Sequence, residues 1–151
     1  MSTNGFRVMA LNGLVMIALA MVAAGFPLIW AVGREFYHSP QPINLPGDSA
    51  AWLSAHMIAL MSGMVVIIVA QVTRLKPMAR RAERLLSFAL LVAGWGNTIG
   101  SLAAPLLGVR GIEFDWDWAN NVLVVLFGLA AMGIIYAIAA AILHLARPIE
   151  P

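Results

Sequence analysis

Trp52-Leu53-Ser54-Ala55-His56-Met57-Ile58-Ala59-Leu60-Met61-Ser62-Gly63-Met64-Val65-Val66-Ile67-Ile68-Val69-Ala70-Gln71 is an apolar run with one ionisable side chain, His56, near its start. About 20 apolar residues in helical form cross roughly 30 Å of hydrocarbon, so the run predicts a membrane-spanning helix. Backbone groups in lipid must bond internally, and a run this long does so as a helix, not as a barrel strand. An imidazole there is costly unless it is paired, hydrated or metal-bound, and it is a functional candidate by default. A packing histidine satisfied by a neighbouring helix is the competing reading.

Three similar runs flank it. The predicted spans are about Val8–Trp30, Trp52–Thr73, Leu85–Leu106 and Asn121–Leu145. The chain has 151 residues, 62% hydrophobic and 11% charged, with mean hydropathy +0.88. A soluble domain is about 45–50% apolar and about 25% charged. Composition and spans together predict an all-α fold, an integral membrane four-helix bundle in a single domain over 1–151. The first run lacks a clear small-residue cleavage site and is long enough to span, so it reads as a helix and not as a signal peptide. With no cysteine, disulfides, iron–sulfur ligation and thiolate catalysis are excluded.

The connection after the first span is rich in turn formers, Pro40, Pro42, Pro46 and Gly47, and Asp48 or Ser49 is a natural N-cap for the second. Pro77 punctuates the loop between spans two and three. Asp115 and Asp117 suit the positive start of span four. Arg74, Lys76, Arg80, Arg81 and Arg84 crowd the loop between spans two and three, and Arg7 and Arg147 fall on the same side. Arg34 and Arg110 lie opposite, among Glu35, Asp48, Glu113, Asp115 and Asp117. The positive-inside rule puts both termini in the cytoplasm. The net charge of +2 therefore reads as orientation, with some attraction to anionic lipid, and not as nucleic-acid binding. Trp30, Trp52, Trp116 and Trp118 fall at the outer boundary as an aromatic belt. Trp95 is near mid-span, where it either fills space or lines a pocket. The absence of an internal repeat argues against a transporter built from inverted repeats.

Several polar residues lie within the spans. A helix-to-helix hydrogen bond would explain Asn12. Gln71 and His144 sit near helix ends. Ser62 and Thr98 can bond their own backbone carbonyls. Asn97 is central, in Gly94-Trp95-Gly96-Asn97-Thr98-Ile99-Gly100-Ser101, and its amide needs a helix, a ligand or water as partner. Ala93, Asn97 and Ser101 share one helix face. Gly96 and Gly100 permit close approach of a helix or a flat ligand. Helical rise separates His56 and Asn97 by roughly 7–8 Å in depth, so one site holding both needs a sizeable ligand or tilted helices.

Zinc wants three or four protein ligands, and no second His, Cys or carboxylate lies near His56. Haem needs one, because the porphyrin supplies four nitrogens. Met57, Met61 and Met64 share the helix with His56 and cannot reach the far face of the same iron. One axial position would stay open, and open ferric iron is a Lewis acid.

At these residues the sequence resembles the styrene oxide isomerase family: Ala55-His56 with Ser62-Gly63-Met64-Val65-Val66, then Gly94-Trp95-Gly96-Asn97, Arg110-Gly111, and the Pro46-Gly47 turn. The resemblance covers about two-thirds of the chain. It implies a four-helix membrane protein of the bacterial inner membrane that binds haem b and assembles as a homotrimer. It implies His56 as the axial iron ligand, and conversion of an apolar aryl epoxide to an aldehyde by ring opening to a carbocation and a 1,2-hydride shift, without redox change. Asn97, Ser62 and Ser101 would line the pocket, and Arg110 would pair a haem propionate. The sequence departs from the family pattern at Ser62, where Asn stands, at Ser101, where Tyr stands, and at Ala93, where an acid stands. Two other readings therefore remain: a haem-binding membrane protein for electron transfer or sensing, and a cofactor-free membrane subunit.

Overall fold

The computed structural model describes residues 1–38 and 44–146. Pro40, Pro42 and Arg147 lie outside them. Among the described residues the secondary structure is entirely helical: α1 (Thr3–Leu19), a π turn (Ala20–Ala24), α2 (Gly25–Tyr37), α3 (Ser49–Val72), α4 (Arg80–Leu107) and α5 (Trp118–Ala146). α1, the π turn and α2 run on as one rod, and a short 3-10 turn, Thr73–Leu75, extends α3. Four helices, Thr3–Tyr37, Ser49–Leu75, Arg80–Leu107 and Trp118–Ala146, are long and apolar enough to cross a membrane. They overrun the predicted spans because a helix does not stop where hydropathy does. Polar ends such as Thr3-Asn4 and Arg34-Glu35 stay helical.

Local chemistry sets the ends. Ser2 Oγ accepts from Gly5 N at 3.1 Å, and Asp48 caps α3 by accepting from Ala51 N at 2.7 Å. Asp117 accepts from Ala119 N at 2.8 Å at the head of α5. Each satisfies an N–H that has no acceptor inside its helix. Gly108, at φ +69°, ends α4 in the left-handed conformation.

α3 and α4 pack together at the centre, with α1 against α3 and α5 against α4. Gly13 and Gly63 let α1 and α3 touch backbone to backbone: a Cβ on Gly13 would lie 2.7 Å from Gly63 O. Gly96 and Gly100 let side chains of α5 lie close against α4, since added Cβ atoms would meet Ala130 Cβ and the Phe127 ring at 3.1 and 2.7 Å. The small-residue pair of α4 therefore receives a helix. Met16, Val66, Leu86 and Leu90 fill the core. Trp95 Nε1 donates to Asn12 Oδ1 at 2.9 Å, which accounts for both residues as an α1–α4 tie.

Trp52 departs from the predicted belt. It is 2% exposed, with Nε1 donating to Pro46 O at 2.8 Å, while Trp116 and Trp118 are exposed. The Pro46-Gly47 turn folds over it. Gly47 has φ +84°, and a Cβ there would strike Pro105 and the Trp52 ring. Trp52 is buried because this turn covers it.

Candidate functional site

The π turn is the irregularity on which the first half of the site depends. Pro27 has no N–H, and its ring would clash with the carbonyl of Ala23 in a regular α-helix. A wider turn just before it relieves that conflict. Gly25 N then bonds back to Ala20 O, and Ala20 O also meets His56 Nδ1 at 2.9 Å. A carbonyl can only accept, so Nδ1 is the protonated nitrogen. In the neutral ring the lone pair is then on Nε2. His56 is half-buried on the side of α3 that faces the π turn. Orientation of a ligating histidine by a backbone carbonyl on its other nitrogen is the usual support for metal binding. The residues present thus fit a group that needs a single imidazole. Among the described residues, no three of His, Cys, Asp or Glu come together as a metal cluster.

The second half lies across α3, where α3 and α5 flank α4. An apolar cavity of about 310 Å³ is lined by Met57, Ile58, Met61, Ser62, Ala93 and Asn97, among others. Beside it a larger one, about 750 Å³, runs to the far end of the bundle past Asn97, Ser101, Arg110 and Phe127. Ile58 and Asn97 line both and form the waist between them.

The polar groups differ in what they have left to offer. Ser62 Oγ donates to Ile58 O at 2.7 Å, and Ser101 Oγ donates to Thr98 O at 3.1 Å. Both hydroxyl protons are spent on their own helices. Thr98 Oγ1, expected to bond a carbonyl of its helix, is buried without a hydrogen-bond partner among the described residues. The Asn97 amide, half-buried at the waist, has no hydrogen-bond partner among the described residues. Among the helical residues that line the cavities it is the polar side chain left without a partner.

Arg110 is exposed on the loop after α4 and makes no ion pair among the described residues. Arg34, the other basic residue at that end, is occupied: it donates to Leu45 O and Gly47 O at 3.0 and 2.8 Å. Asn120 holds the loop. Its Oδ1 accepts from Gly111 N at 2.7 Å, and its Nδ2 donates to Glu113 O at 2.6 Å. Asn120 is not among the residues that the sequence singles out. The available signal was an amide pair, Asn120-Asn121, at the mouth of an apolar run.

Asn97 thus meets Ser62 in one cavity, and Ser101 and Arg110 in the other. His56 lines neither. It is two residues from Ile58, hence roughly 160° away around the helix. Within one chain the candidate ligand and the candidate pocket face opposite sides of α3. No curated protein matches the chain. A family model, styrene oxide isomerase, matches residues 6–146. The match spans both sides of α3 and nearly the whole sequence, and the chain belongs to the styrene oxide isomerase family.

Proposed function

We propose that this protein is a membrane-embedded, haem b-dependent epoxide isomerase of the bacterial inner membrane, with both termini in the cytoplasm. The observation that carries the reading is the His56 Nδ1 contact to Ala20 O, which frees Nε2 in a chain of this family. The orientation is supported by the packing. Ser2 meets Glu83 and His144 meets Lys76, so the N-terminus, the basic loop and the end of α5 share one end of the bundle.

His56 would hold the haem, and Arg110, without an ion pair among the described residues, suits a propionate. A ferric haem at His56 would supply Lewis acidity to an epoxide oxygen. The chain would do the rest. The apolar walls of Met57, Met61, Val65 and Ile134 exclude the water that would trap a cation as a diol. The Asn97 amide orients the polar end of an otherwise apolar substrate. Ser62 and Ser101 shape the space, with their protons committed to backbone.

The opposed faces of α3 support assembly. A neighbour that places its His56 side against the Asn97 cavity would complete the site, and repetition of that head-to-tail contact would close a ring where its rotation divides the full turn. A homotrimer is the ring the family implies.

The test is the absorption spectrum of detergent-purified protein beside its His56→Ala variant, followed by aryl epoxide turnover. A Soret band lost in the variant, with aldehyde formed by the parent, supports the reading. A colourless parent after haem was supplied during expression overturns it. Haem without turnover leaves a second reading, a haem protein for electron transfer or sensing. The committed Ser62 and Ser101 protons and the apolar Ala93 favour that outcome.

A further inference from the structure

The basic end of the molecule carries a separate groove of about 780 Å³ between the start of α1 and the first turns of α4. Arg80 and Arg84 line its polar half and share a helix face, being four residues apart. Neither makes an ion pair within 4.0 Å among the described residues. Arg74, by contrast, lies over the Phe6 ring at 4.4 Å. Glu83 is the acid in the groove, and its Oε1 is taken by Ser2 N and Ser2 Oγ at 2.9 and 2.6 Å. The N–H groups of Thr3 and Asn4 open the same groove with no acceptor four residues before them, at the positive end of α1. Further in, the lining becomes apolar, with Val8, Phe88 and Leu91. Val8 and Phe88 are 50% and 68% exposed.

A free phosphate would satisfy the guanidinium groups and leave that floor uncovered. The order of charge, then apolar floor, along the bundle axis matches a headgroup with its chain. We propose that the groove binds one anionic phospholipid of the inner leaflet, its phosphate on Arg80 and Arg84 and an acyl chain along Val8, Phe88 and Leu91. This rests on the membrane insertion proposed above. Basic clusters at this level attract anionic lipid in general. The groove adds a defined place for one molecule.

The experiment is native mass spectrometry of the full chain from nanodiscs of mixed phosphatidylglycerol and phosphatidylcholine. Wild type is expected to retain a phosphatidylglycerol adduct, and R80Q/R84Q to lose it by about tenfold or more, since each charge-assisted contact is strong. R7Q/R81Q removes as much charge from the same end but spares the groove, and should retain the adduct. Val8→Trp keeps both arginines, fills the floor and should lose the lipid, which covers misfolding of the arginine variant. Equal loss in both double variants, retention in R80Q/R84Q, or an adduct of bare phosphate mass overturns the inference. Alkaline carbonate extraction of wild-type membranes separates the two layers of the argument. Protein released from the membrane refutes insertion itself, whereas membrane-retained protein without lipid refutes only the groove.

Discussion

The two sides of α3 are built by opposite means. Facing the π turn, His56 has its Nδ1 proton placed on Ala20 O by a backbone irregularity, and the ring is oriented before anything binds. Facing α5, the wall is regular helix, and Asn97 is left open between two cavities. One side is preorganised by hydrogen bonding, and the other is kept available by its absence. A site made from both could bind a rigid planar group on the first and accept varied apolar molecules against the second.

That contrast can be broken at several points. The sharpest is the pair His56→Ala and Asn97→Leu. The first should abolish the Soret band. The second should keep it while epoxide turnover falls by about 10²-fold, the scale for loss of an oriented polar donor. If both variants lost haem in parallel, the division of labour would be wrong. Pro27→Ala comes next. It removes the reason for the π turn and lets Ala20 O be drawn into regular helix, so haem affinity should fall by about tenfold, as for loss of an outer-shell partner. Haem titration of the apoprotein measures it, and an unchanged affinity would mean that the π turn has another cause. Gly63→Ala places a Cβ 2.5 Å from Gly13 O. Thermal unfolding in detergent should show a loss of about 1–3 kcal/mol, typical of overpacking. The smallest effect belongs to Asn12→Ala, which removes the acceptor of Trp95 Nε1. It should cost about 0.6–1.7 kcal/mol, the range for hydrogen bonds between helices in membranes, and should leave the Soret band in place.

The spans were legible because hydropathy over 20 residues needs no partner to be read, and the Asp48 cap because a cap is local; Asp117 was legible as a charge at the helix start, not as the cap that it forms. Asn97 was legible as a polar atom with nothing on its own helix to satisfy it. The side of α3 on which each residue falls was not. In a helix that is apolar all round, periodicity carries no directional signal. Depth could be counted along the chain, but azimuth is decided by which helix packs where, here by Gly13 against Gly63 and Gly133 against Ala89 O. Trp52 misled because its burial depends on a turn folding back over it. The π turn had one sign in the sequence, Pro27 within an apolar run, and its meaning lay in a contact to His56 on another helix.

The glycine contact between α1 and α3 bears on motion. Where backbone meets backbone, no side chain is free to rearrange, so this helix pair would move as one stiff body. α5 is held to α4 in a similar way, with Gly133 close against Ala89 O. The cavities lie along the seam between these two pairs, mainly between α3 and α4, with Ile134 and Phe127 of α5 at their edges. A bulky guest would enter by shear of two rigid pairs on the microsecond-to-millisecond scale of such movements. Selection by size would therefore appear first in the rate of entry and only second in the equilibrium fit.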